Sequence, residues 1–148
     1  MKKILVTLDG SLSSVKAAQL AVDMARLYSA ELTFLTVVKD NLDTIPVGLD
    51  MSTHPDIARI ALVKDIEAIG NEILEKIISD LDTSGIKTTK KVLTGYPAEE
   101  IVNYAESEAI DLIIIGRRGL SPFKRFFIGS VAQKIVAHAA CSVLVVNE

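Results

Sequence analysis

Two hydrophobic rhythms alternate along the chain. Solid apolar runs recur at Lys3–Leu8, Leu32–Val38, Leu112–Ile115 and Ser142–Val146, with a weaker one near Lys87–Leu93. Apolar residues on consecutive rather than alternate positions fit strands of a parallel sheet covered on both faces. Between these runs the apolar positions step by three or four. Ala18, Ala21, Val22 and Ala25 mark a first helix, which Ser11 or Ser13 can cap. Leu62, Ile66, Ile69, Ile73, Ile77 and Leu81 mark a long amphipathic helix closed by Asp82-Thr83-Ser84-Gly85. Gly95-Tyr96-Pro97-Ala98-Glu99-Glu100 opens a third, with an early proline, acids in the first turn, and Ile101, Val102 and Ala105 facing inward. A fourth is predicted from Ser130 to about Ala139. Residues 39–56 show neither rhythm and contain Pro46, Gly48 and Pro55, which predicts a surface loop longer than compact domains usually carry.

The resulting βαβαβαβαβ order predicts an α/β fold. It is expected to be a single Rossmann-like, open, parallel five-stranded sheet of order 3-2-1-4-5 with helices on both faces, and one domain over residues 1–148. A chain of this length buries roughly 68–70% of the surface its unfolded form exposes. In such a sheet the winding reverses between strands 1 and 4, and ligands sit beyond the C-terminal strand ends at that reversal. Asp9 follows strand 1 and Gly116 follows strand 4. At this second point the chain reads Gly116-Arg117-Arg118-Gly119, nine residues, then Gly129-Ser130 at the head of the fourth helix. A strand, a glycine-gated loop and a helix N-terminus together form a phosphate cradle. Glycines admit close approach by an anion, and the orphan N–H groups and dipole of the helix hold it. Topology and glycine spacing, read separately, converge on one crevice and on nucleotide binding.

Charge strengthens that reading. The net charge is −3, yet no acidic residue lies between Asp111 and Glu148, where Arg117, Arg118, Lys124, Arg125 and Lys134 all fall. Positive charge concentrated around the glycine loop of an acidic protein favours an anionic ligand. Phe123, Phe126 and Phe127 interleave with Lys124 and Arg125, but the negative overall charge favours packing under a loop over nucleic-acid binding. Neither His54 nor His138 has a second ligand at metal-binding spacing, so no protein-held metal is expected. The lone Cys141 excludes an intramolecular disulfide and reads as a small buried hydrophobe. No apolar run reaches the length of a membrane helix. The opening Met1-Lys2-Lys3 run is cut short by Asp9-Gly10 before it resembles a secretory leader, so a cytoplasmic location is expected. Val143–Val146 would form an apolar edge strand without lysine or proline. Antiparallel pairing with a second copy would cover it, which predicts a homodimer.

The chain resembles the universal stress protein family, in its ATP-binding branch, over essentially its whole length. The resemblance is carried by Lys3-Ile4-Leu5-Val6-Thr7-Leu8-Asp9-Gly10-Ser11, Gly95 to Ile101, Asp111 to Gly116, Gly129-Ser130-Val131 and Ala140 to Val146, with the full G-x2-G-x9-G-S pattern as the branch signature. It implies that Gly116, Gly119, Gly129 and Ser130 contact ribose and phosphates and that Val131 follows in the phosphate turn. It also implies that Val37 meets adenine through its backbone and that Asp9 lies near adenosine or the metal-bridged phosphates. Thr7 stands where some relatives have proline, and Arg117 where a small hydroxyl residue is frequent. The implied ligand is ATP, or ADP or AMP, with Mg2+ or Mn2+ held through the phosphates, and the implied homodimer agrees with the edge-strand argument. The expected role is a nucleotide-dependent switch or sensor in the stress response. With no Walker lysine-serine pair and no second carboxylate near Asp9, no catalytic residue is assigned and hydrolysis is expected to be slow or absent. An adenylating enzyme of the adenine-nucleotide α-hydrolase-like group and an interaction module that binds no nucleotide are the alternatives.

Overall fold

A computed structural model describes residues 1–39, 55–118 and 128–147 of the chain, the side chains of 55–63 excepted. The elements run β1 (Lys3–Thr7), α1 (Leu12–Tyr28), β2 (Glu31–Val38), α2 (Pro55–Ile78), β3 (Thr88–Thr94), α3 (Pro97–Ser107), β4 (Leu112–Gly116), α4 (Ser130–His138) and β5 (Ser142–Val146). All sheet neighbours are parallel and the order is β3-β2-β1-β4-β5. This is the expected doubly wound sheet.

Strand periodicity divides the core into two layers. Ile4, Val6, Leu32, Phe34, Leu112 and Ile114 point to one face, where they meet Ala17, Ala18, Ala21, Val22 and Ala25 of α1 and Leu74 and Ile77 of α2. Leu5, Leu35, Ile113 and Ile115 point to the other, against Ala98, Ile101 and Ala105 of α3 and Ala132 and Ile135 of α4. Burial on both faces explains why β1 and β4 read as unbroken apolar runs. The alanine row on α1 lets that helix lie close over β1 and β4.

Three expectations shift. The long helix begins at Pro55, so the last two residues assigned to the loop are helical, and residues 40–54 lie outside the described residues. Its buried stripe is Ile66, Gly70, Leu74 and Ile77, whereas Ile69 is 50% exposed. Leu81 packs against the core from beyond the helix end rather than from within it. Elsewhere the boundaries move by one residue, as at β3, which starts at Thr88 and closes at Thr94.

The two sheet edges differ in protection. On β3, Lys90 pairs with Glu75 of α2, and Lys87, just before the strand, pairs with Glu31 of β2 at 2.7 Å. Lysines along an edge oppose strand addition. On β5, Val143, Leu144, Val145 and Val146 are all half-exposed, and the strand carries no charge.

Candidate functional site

A cleft of about 390 Å³ opens at the C-terminal ends of β1, β2 and β4, on the face that carries α3 and α4. Its floor is Thr7, Leu35, Val37 and Ile115, side chains that share one face of the sheet. Pro97 and Ile101 of α3 form one wall, and Ser130, Val131 and Ala132 of α4 form the other. Asp9, Lys39, Gly116, Arg117, Arg118 and Gly129 line it as well. A volume in this range, apolar below with polar groups converging at the rim, is that of a small-molecule site.

Two helix N-termini meet here because α1 follows β1 and α4 follows β4, its neighbour in the sheet. The chain leaves β1 through Asp9-Gly10, where Gly10 has φ +84°, a left-handed conformation that a side chain would strain. Asp9 Oδ1 accepts the Ser11 N–H at 2.9 Å. The Ser11 hydroxyl then caps α1 by accepting the Ser14 N–H at 3.2 Å, and the Ser14 hydroxyl donates back to the Ser11 carbonyl at 2.8 Å. Ser11 rather than Ser13 is therefore the cap. Asp9 both shapes the turn and lines the cleft.

The head of α4 is built differently. Gly129 is its N-cap, in extended conformation, and as glycine it brings no side-chain cap bond to the first N–H groups. The first helical bond runs from the Gln133 N–H to the Gly129 carbonyl at 2.9 Å. Helix geometry thus leaves Ser130, Val131 and Ala132 without intrahelical acceptors at the cleft wall. The Gly129 N–H is not among these donors, because it bonds the Arg117 carbonyl at 2.7 Å. The Arg117 N–H in turn bonds the Val146 carbonyl at 2.7 Å, so the loop between β4 and α4 has a backbone-bonded neck.

Gly116 has a packing role that spacing did not show. A Cβ on this residue would lie 2.6 Å from Ser13 Oγ, 2.8 Å from the Ser13 carbonyl carbon and 2.9 Å from the Ser14 nitrogen. Two of those atoms are backbone and cannot yield cheaply. Glycine here lets the end of β4 reach the first turn of α1.

Of the residues singled out from sequence, Thr7, Asp9, Val37, Gly116, Arg117, Gly129, Ser130 and Val131 all line the one cleft. Gly119 lies outside the described residues, as do His54, Phe123, Lys124, Arg125, Phe126 and Phe127. Sequence reasoning missed Lys39, Pro97 and Ile101. Lys39 follows β2 directly, so the rule that singled out Asp9 and Gly116 after their strands would have found it. His138 sits in the last turn of α4 with Nδ1 2.8 Å from the Lys134 carbonyl oxygen, a suitable place for a cationic side chain. Cys141 is half-buried, and desolvation pushes its thiol pKa up, which suits an inert side chain. Among the described residues no helix is long and apolar enough to cross a membrane.

Comparison with known proteins bears on the family and the fold. The profile of the universal stress protein family matches residues 1–147. Universal stress protein MJ0531 of Methanocaldococcus jannaschii is 35% identical over 148 residues, an alignment covering 99% of this chain and 82% of that protein. Universal stress protein UspA from Lactobacillus plantarum has a solved structure with TM-score 0.74 and 26% identity, covering 98% of this chain and 97% of its own. A universal stress protein solved in complex with cAMP shares the fold, with TM-score 0.65 and 23% identity over 99% of this chain and 96% of its own.

Proposed function

The chain belongs to the universal stress protein family, and from that premise we propose that it binds an adenine nucleotide in the cleft beyond β1, β2 and β4. One observation carries the reading: α4 opens onto an apolar-floored cleft with glycine, which supplies no side-chain cap, at its N-cap. Such a terminus suits phosphate through both its donors and its dipole. Arg117 and Arg118 add charge on the same rim, and the Ser130 hydroxyl adds a donor. The base would lie toward Leu35 and Val37, with the Val37 backbone at the adenine edge. The likeness to the protein solved with cAMP carries the fold alone, so the ligand is argued from this chain's own cleft. ATP is the proposed form, with ADP or AMP as lesser ligands, and Mg2+ or Mn2+ would be held through its phosphates beside Asp9.

The proposed role is a nucleotide-dependent switch or sensor in the stress response. Asp9 is the one carboxylate among the described residues lining the cleft. Among the described lining residues a single acid leaves no second carboxylate to hold a metal and orient an attacking water, so turnover should be slow or absent. Freshly purified protein should release adenine nucleotide on denaturation, identified by mass. The emptied protein should give saturable heat with Mg-ATP. Folded protein that releases nothing and gives no heat would sink the reading.

We also propose that a second copy pairs antiparallel along β5, because this apolar edge lacks the lysines that guard β3. Sedimentation at tens of micromolar should find a dimer; monomer throughout would count against it.

A further inference from the structure

Two buried hydroxyls on the first turn of α1 converge on one carbonyl at the neck of the β4–α4 loop. Ser13 is fully buried and Ser11 nearly so. The Ser11 hydroxyl donates to the Arg118 carbonyl at 3.2 Å, and the Ser13 hydroxyl donates to the same oxygen at shorter range. The two hydroxyl oxygens lie 3.3 Å apart. Neither side chain lines the cleft.

Helix formation does not require this arrangement. Ser11 caps α1 as an acceptor, which leaves its proton free for another partner, and the Ser13 hydroxyl has no part in the cap. A hydroxyl removed from water is unfavourable unless it is bonded, so alanine at position 13 would serve the core as well or better. What the pair holds is the orientation of the Arg118 peptide. A carbonyl oxygen is the negative end of its peptide dipole, and one turned toward the head of α4 would repel a bound anion. Here that oxygen is drawn into the first turn of α1 and bonded twice. The close approach that permits this is the one the missing Cβ of Gly116 provides.

We propose that Ser11 and Ser13 are a latch that fixes the Arg118 carbonyl away from the cleft, and that they act as positioning residues for the anion-binding half of the site without touching the ligand. The effect on affinity rests on the nucleotide reading; the latch itself does not.

The test uses the full chain and Ser13→Ala. Each is titrated with Mg-ATP and separately with adenosine, and each is digested with trypsin in the absence of nucleotide, with cleavage after Arg118 followed by mass. Thermal melts confirm folding. Loss of one hydrogen bond at the neck should weaken ATP binding by about fivefold to tenfold and leave adenosine within about twofold, because the base lies at the far end of the cleft. Cleavage after Arg118 should be several times faster than in the parent. An unchanged ratio of ATP to adenosine affinity overturns the positioning role, and parent-like cleavage overturns the latch. If the parent binds no nucleotide, the nucleotide reading fails and the cleavage rate alone decides the latch. Should Ser13→Ala not fold, Ser11→Ala carries the same measurements, its lost cap showing in the melt rather than in the ratio.

Discussion

The N-termini of α1 and α4 stand at the same end of the same sheet, behind adjacent strands, and the chain treats them oppositely. At α1 it supplies its own partners: the Asp9 carboxylate takes the Ser11 N–H, and the Ser11 hydroxyl takes the Ser14 N–H. At α4 the cap is glycine, which brings no side chain of its own to the first donors. A side-chain cap contributes typically ~1 kcal/mol. Its absence from one of two equivalent termini, the one beside Arg117 and Arg118, fits a position reserved for an external anion. A helix N-terminus capped by glycine leaves room for an external anion that a side-chain cap would contest.

The largest expected effect comes from abolishing the difference. Gly129 has φ −61° and ψ 151°, angles an ordinary N-cap residue adopts, so Gly129→Asp would give α4 a resident anion without backbone strain. Nucleotide affinity should fall by more than about 100-fold, since the carboxylate both occupies the donors and repels phosphate. The melting temperature should hold or rise by roughly 1–3 °C, a few tenths of a kcal/mol to ~1 on this scale. Loss of binding with retained or raised stability separates an occupied site from a damaged one. A variant that binds ATP as the parent does would remove the open terminus from the account.

A smaller effect is expected where the end of β4 meets the capped first turn of α1. Gly116→Ala drives a methyl group against the Ser13 and Ser14 backbone. Overpacking of this kind destabilises by about 1–3 kcal/mol, a drop in melting temperature of roughly 2–4 °C per kcal/mol for a domain of this size. Here, in contrast to Gly129→Asp, stability should fall first and binding only as a consequence. A melt unchanged from the parent's would show that β4 and α1 can separate freely. That would weaken the case for a rigid junction between β4 and the capped helix α1.

Much of this was legible in the residues, and the losses have physical causes. β1 and β4 were unmistakable because both their faces are buried, which makes every position apolar. Most of the α2 spacing holds, with Ile66 and Ile77 buried and Ile73 packed against the core, whereas Ile69 falls off the stripe because Gly70 offers no apolar signal. The helix approaches β3 at Gly70, where a Cβ would collide with the Val92 side chain, so the true stripe reads Ile66, Gly70, Leu74, Ile77. Counting apolar residues puts Ile69 on the stripe in place of Gly70. At the cleft, strand ends and glycine spacing brought the right segments together, because topology alone decides which loops meet. The packing role of Gly116 and the bonds from Ser11 and Ser13 to Arg118 join residues about a hundred positions apart, and no local period records such contacts. Ser13 was weighed only as a cap, the one role a neighbouring sequence can suggest.

The smallest expected effect sharpens the comparison from the opposite end of the same two strands. Where β1 and β4 begin, the exposed Asp111 carboxylate accepts the Lys2 N–H at 2.6 Å and the Lys3 N–H at 3.0 Å. Converging backbone donors here have been given an anion by the chain, as at α1 and in contrast to the glycine cap of α4. Those bonds, that from Lys2 foremost, hold the Asp111 pKa below its ordinary value of 3.8. A depressed carboxylate pKa stabilises the fold above the unfolded value, and that contribution is lost as pH falls through the folded one. Asp111→Asn keeps an acceptor oxygen but not its charge, so the variant should melt slightly below the parent at pH 7. The gap should stay constant down to about pH 4, then close as the parent's carboxylate protonates. A gap equally wide at pH 7 and pH 2.5 would mean that shape, not charge, makes Asp111 fit its donors. An anion would then have no special claim on such N–H groups, and the glycine-capped head of α4 would lose its internal precedent as a phosphate site.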